Sequence, residues 1–208
     1  MNTNTIADTK GRKHLTTKDL VMIGFLGAIS AILMYFEFPV PLVPGFIKMD
    51  FSELPIIIGG FMMGPLAGAF IIIIKILLHF ILSGTTTMGI GELANMIGSF
   101  GYMLPAVILY RKWHTKKGAI VTLVIATLVV SVLAVTVNIV LMFPAYAALF
   151  GISIDRIVEM GRVVNPNVKN LITLMLFSVL PFNLFKYGIV SLLTFFVYKR
   201  LGKILRYL

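Results

Sequence analysis

Long apolar runs, broken by glycine, proline and small groups of charges, make up most of the chain. They fall at about 19–38, 53–63, 65–83, 92–111, 118–149 and 169–198. A bilayer core about 30 Å thick needs roughly 20 apolar residues per helix. The pattern therefore predicts an all-α integral membrane protein, with six transmembrane helices in a compact bundle. The second run is short and ends in "MMGPLAG", where Gly64-Pro65 favours a tight turn, so the second and third runs are expected to form a hairpin. The domain reading is a cytoplasmic tail over 1–18 followed by one six-helix domain over 19–208. "AIS" at Ala28 to Ser30 has the small residues of a signal-peptide cleavage site, but the apolar run continues past it, and its removal would leave an odd number of spans.

Composition sharpens this picture. With 59% hydrophobic and 12% charged residues among 208, little chain remains for a soluble catalytic domain. The absence of cysteine excludes disulfides, thiol catalysis and cysteine metal sites. A net charge of +10 would fit a nucleic-acid partner, but the charges cluster beside the spans. Lys10, Arg12, Lys13 and Lys18 precede the first run; Arg111, Lys112, Lys116 and Lys117 fill a short loop; Lys199, Arg200, Lys203 and Arg206 close the chain. With six spans these junctions share one side, so the positive-inside rule places both termini in the cytoplasm of a plasma-membrane protein. Anionic lipid headgroups are the expected counter-charges and nucleic acid is not an expected partner.

The polar residues inside the runs carry the functional signal, because charges in a span face a bundle interior or a water-filled cavity. Lys75 and His79 are four apart and share a helix face. Asn183 and Lys186 share another face, with Pro181 just before them in "LPFNLFKYG". Asn138 and Asn95 add two amides, and the first loop brings Lys48 and Asp50, with Glu53 and Glu92 at span entrances. Each has a plain alternative: a lone Asn ties helices together, a lone His packs, a proline kinks. The functional reading gains most at Lys186, since a buried ammonium needs a partner and no run carries an acidic residue at that depth. Most of these groups sit in the outer half, which predicts a cavity opening outward. Phe46, Phe51, Met96, Phe100, Phe182 and Tyr187 are expected to supply apolar walls for a planar ligand whose edges meet the amides and lysine. Scattered carboxylates and the lack of HExxH argue against a metal site.

The chain has no GxxxxGK[ST] loop to hold ATP and no membrane-embedded acidic relay, so a transporter of this kind needs a partner to drive it. In the first run Gly24, Ala28 and Ala31 lie on one helical face, with Gly27 adjoining it. Small residues at this spacing admit another helix at close range, from a partner or from the same bundle.

Taken together, the first span running into "FEFPVPLVP", the passage "FIKMDFSELP", "GFMMGPLAG", Lys75 with its polar neighbour, "ELANMIG", "VNIVLMFPAY" and "LPFNLFKYG" resemble the substrate-binding S component of an energy-coupling factor (ECF) vitamin transporter, most of all its riboflavin-specific members. The resemblance spans nearly the whole chain. It implies a six-helix bundle, closed by the first loop, that binds riboflavin as cargo without a resident cofactor. It also implies a transmembrane coupling subunit and two ATPase subunits as partners, and no enzymatic activity. The polar contacts it implies fall on Asn138, Asn183 and Lys186, with Asn95, Lys48 and Asp50 lining the rest and Lys75 and His79 nearby. The family's AxxxA docking motif appears as Gly24 to Ala28 or Gly27 to Ala31. FMN, FAD or another vitamin is an alternative ligand, with Lys48 and Lys169 available to a phosphate. An intramembrane enzyme built on His79 and a scaffold subunit without ligand are the rival classes.

Overall fold

The computed structural model describes residues 15–204 other than 42 and 46, with side chains as far as 197. Most of the expected tail therefore lies outside the described residues, and its last two positions already belong to the first helix. That helix, α1 (Thr17–Tyr35), starts where Thr16 accepts from the Asp19 amide while the Asp19 carboxylate accepts from the Thr16 amide. Next come β1 (Phe38–Pro39) and β2 (Lys48–Met49), a two-residue antiparallel pair that folds the first loop back on itself. The short α2 (Glu53–Met63) turns directly into α3 (Pro65–Ser83). Gly64 makes this turn at φ 101°, a conformation that side chains disfavour, and Pro65 opens α3 where no N–H is missed.

After α4 (Ile90–Lys112) the chain continues as α5 (Lys116–Val137), a π-helical turn (Asn138–Met142) and α6 (Phe143–Phe150), one unbroken apolar rod. A second rod combines α8 (Leu171–Leu174), a π-helical turn (Met175–Val179) and α9 (Leu180–Ile204). In both rods a proline, Pro144 or Pro181, stands two residues beyond the π turn. A proline ring collides with the carbonyl four residues earlier. Here that carbonyl belongs to Val140 or Phe177, inside the widened turn. Between the rods lies α7 (Ile154–Val164), capped by Ser153 and burying Ile157, Val158 and Gly161 while its charges stay exposed. This stretch falls between the apolar runs at 118–149 and 169–198.

Among the described residues five helices are long and apolar enough to cross a membrane, so the chain is a multi-pass membrane protein. The count of six needs qualification, because α2 has only 11 residues. At 1.5 Å per residue it rises about 16 Å, half of the hydrocarbon core. A side chain at Gly64 would lie 3.5 Å from Arg111, which puts the α2–α3 turn at the end of the bundle that carries the α4–α5 basic loop. The N-terminus of α2 therefore lies at mid-height. Lys75, ten residues into α3, is at about the same level, roughly 15 Å from the turn.

Around this half-height helix the interior divides in two. Ile56, Ile57, Ile71, Ile72, Met103 and Val107 pack an apolar core along α2, α3 and α4. A second apolar cluster, with Phe143, Val158, Val168, Leu174 and Met175, supports the ends of the two rods remote from the α4–α5 loop. The space above α2 is filled by the first loop and by polar side chains.

Candidate functional site

Two adjoining cavities occupy that level. The smaller, about 170 Å³, is bounded by α4, by the π turn after α5 and by α9, with Asn95, Asn138, Asn183, Lys186, Phe182 and Tyr187 in its wall. The larger, about 580 Å³, lies under the first loop and is bordered by Glu37, Lys48, Asp50, His79, Glu92 and Asn95. Asn95, Met142 and Tyr146 border both, so the two form one bent space. A small-molecule site typically offers roughly 300–1,000 Å³ with few polar groups on apolar walls.

Each amide in the smaller cavity has a fixed orientation. Asn138 Nδ2 donates to the Ala134 carbonyl and Asn183 Nδ2 to the Val179 carbonyl, both at 2.8 Å. A carbonyl only accepts, so the nitrogen faces it and the Oδ1 atoms remain available as acceptors. Asn95 is turned the other way, its Oδ1 accepting from Lys75 Nζ at 2.7 Å. The Lys186 ammonium sits 5.8 Å over the Tyr187 ring. The cavity thus offers donors at Asn95 and Lys186 and acceptors at Asn138 and Asn183.

Lys186 does have an acidic partner, contrary to the sequence reading. Asp50 Oδ2 accepts from its ammonium at 2.8 Å, across 136 residues of chain. The residue comes from the first loop, which reaches mid-height because α2 is short. Burial by itself would raise the Asp50 carboxyl, but Lys186 and, behind it, Lys75 hold it below the usual carboxylate range. Asp50 Oδ1 also accepts from the Ser52 amide at 2.8 Å and from the Ser52 hydroxyl.

Lys75 is not brought to either cavity. It is completely buried, and its ammonium is surrounded by Glu53 Oε1 at 3.0 Å, Ser99 Oγ at 2.8 Å, Ser52 Oγ at 3.1 Å and Asn95 Oδ1. Ser99 donates in turn to Glu53 at 2.6 Å. Three N–H bonds are used among four oxygens, which leaves none for a ligand. The cluster also reaches α1, where Ser30 Oγ donates to the Ser52 carbonyl at 2.6 Å.

His79 does border the larger cavity, with its Nδ1 unpartnered among the described residues. Lys48 is there too, paired with Glu37 at 2.5 Å. Lys169 is exposed and borders neither cavity. Of the expected apolar walls, Phe182 and Tyr187 serve as such, Phe51, Met96 and Phe100 pack against the main core, and Phe46 lies outside the described residues. Glu37, Tyr146 and Thr87 are wall residues that the sequence reading did not single out. Thr87 and Thr85 each donate to Glu92 at 3.1 Å, and the run "TTT" just before Glu92 was the available signal.

The small residues of α1 divide between two faces. Gly27 and Ala31 are buried, and a Cβ on Gly27 would meet the Ile74 side chain at 2.5 Å, so this pair packs against α3 of the same chain. They are not available to a partner. Gly24 and Ala28 lie on the outer side, with nothing within 4 Å of a Cβ built on Gly24 and with Val21, Phe25 and Ile32 exposed around them.

Known proteins resemble this chain in sequence and in fold. Residues 18–198 match the model of the ECF transporter substrate-specific component. The chain is 30% identical to the riboflavin transporter RibU of Staphylococcus aureus over 201 residues, covering 94% of this chain and 98% of the relative. It is 32% identical to the riboflavin transporter FmnP of Bacillus subtilis over 173 residues, covering 80% and 91%. A solved S component of a bacterial ECF transporter superposes with a TM-score of 0.71 at 26% identity, covering 90% of this chain and 97% of the other. The chain belongs to the ECF transporter substrate-specific components, a family of transport subunits and not of enzymes.

Proposed function

We propose that the chain is the riboflavin-binding subunit of an ECF-type transporter, capturing the vitamin from outside for uptake driven by a coupling subunit and two ATPase subunits. The observation that carries this reading is the polarity of the smaller cavity. Riboflavin's ring edge has two carbonyls flanking a ring N–H, and Lys186 and Asn95 supply donors while Asn138 and Asn183 supply acceptors. Phe182 and Tyr187 offer apolar contact to the ring. The relatives named above are themselves described as riboflavin transporters.

The larger cavity favours riboflavin over its phosphorylated forms. It is bordered by Glu37, Asp50 and Glu92, and its lysine, Lys48, is already paired with Glu37. Carboxylates accept from the hydroxyls of a ribityl chain and repel a phosphate. Both termini and the "RKWHTKK" loop are assigned to the cytoplasm on the distribution of basic residues. Gly24 and Ala28 are the positions assigned to the coupling subunit, because they form the small-residue strip that stays open on the bundle surface.

The test is a titration of the purified protein in detergent with riboflavin, FMN and thiamine, followed by quenching of flavin fluorescence. Saturable riboflavin binding, with FMN weaker and thiamine silent, is the expected result. Tight thiamine binding, or no flavin binding by folded protein, would overturn the assignment.

A further inference from the structure

Lys75 is the most enclosed charge among the described residues, yet it borders neither of the two cavities. Its ammonium is held from two elements: Ser52 and Glu53 at the start of α2, and Asn95 and Ser99 one turn apart on α4. A group fixed this way cannot follow a ligand, but it can fix what a ligand meets. An ammonium only donates, so the Asn95 atom 2.7 Å away is its oxygen. Asn95 Nδ2 makes no hydrogen bond among the described residues, and Asn95 borders both cavities.

We propose that Lys75 is a positioning residue that determines specificity: by holding the Asn95 oxygen inward, it makes the junction of the two cavities a hydrogen-bond donor. The ligand group that fits there is an acceptor, a carbonyl oxygen, ring nitrogen or hydroxyl oxygen. Glu53 and Ser99 belong to the same device. Glu53 neutralises the ammonium, and Ser99, donating to Glu53, keeps its own lone pair turned toward Lys75. This deepens the riboflavin reading and rests on it. Asn138 and Asn183 are set by main-chain carbonyls and present acceptors, whereas Asn95 is the amide in this wall whose polarity is set by a charge.

Two independent arms test the assignment, each read as riboflavin affinity of purified variants whose folding is checked by thermal unfolding in detergent. Asn95→Asp keeps an oxygen for Lys75 and replaces the donor with a second oxygen. Its affinity is expected to fall roughly tenfold or more, the cost of an unmatched buried polar pair. Affinity within about twofold of the parent would overturn the proposal. The second arm uses the neutral pair Lys75→Met with Glu53→Gln, which releases the amide without stranding a charge. Asn95→Ala should weaken binding in the parent and cost nothing further in this background. An equal loss in both backgrounds would show that Lys75 does not position Asn95. The parent titration separates this from the underlying reading. If the parent fails to bind riboflavin, the functional assignment falls; if parent and Asn95→Asp bind alike, only the role of Lys75 falls.

Discussion

Two lysines sit at the same depth of the bundle, each beside a carboxylate, and they do different work. Lys75 is paired with Glu53 at 3.0 Å and completely enclosed, with side-chain oxygens on every donor. Lys186 is paired with Asp50 at 2.8 Å, retains a small exposure, and lies in the wall of a cavity with Asp50 as its single hydrogen-bond partner among the described residues. Equal chemistry at equal depth thus divides by saturation. The lysine with no donor to spare holds the framework, and the one with donors to spare can meet a ligand.

The contrast would break first at Lys75. Lys75→Met strands the Glu53 charge in a fully buried cluster with Ser99 as its remaining donor, and removing one partner of such a buried pair costs about 3–5 kcal/mol. Chemical unfolding in detergent should show most of that loss. Lys186→Met should cost well under half as much in stability, because Asp50 keeps the Ser52 amide and hydroxyl and borders the larger cavity. Its main effect should instead be on riboflavin affinity, by about 1.5–3 kcal/mol for a bond to a charged group. Equal destabilisation by the two variants would erase the distinction. Asn138→Ala and Asn183→Ala sharpen it on the ligand side, each weakening binding by about 1 kcal/mol with the fold intact. Unchanged affinity in a titration would make these amides mere ties between helices. The smallest effect is expected from Asp50→Asn, which keeps a hydrogen bond to Lys186 and removes only the charge. Affinity should change by less than about 1 kcal/mol, and a larger loss would mean that the Asp50 charge itself is part of recognition.

Much of this was legible in the sequence, for reasons visible at particular residues. Runs two and three coincide with α2 and α3, because Gly64-Pro65 marks the turn unambiguously. Asn95, Asn138, Asn183 and Lys186 were expected together and share one wall, since polar groups in apolar helices have few other places to go. The partner of Lys186 was not legible, because it depends on a loop descending to mid-height beside a helix 136 residues away. Nor was the split of the α1 strip. Spacing groups Gly24 with Ala28 and Gly27 with Ala31, but a helix that is apolar all round does not declare which side faces its neighbours. The π turns had a signal that went unread, a proline two residues beyond each.

The 11-residue α2 also bears on the passage of cargo. A solute lying beside its N-terminus is at the level of Asp50 and Lys186, about half-way through the hydrocarbon, where fixed dipoles and charges have taken the place of lipid. Below it stand Tyr187 and Tyr102, ring centroids 4.8 Å apart, and then the isoleucines of the main core. Between the site and the end of the bundle that carries the α4–α5 basic loop, the chain itself therefore sets an apolar floor about one leaflet thick.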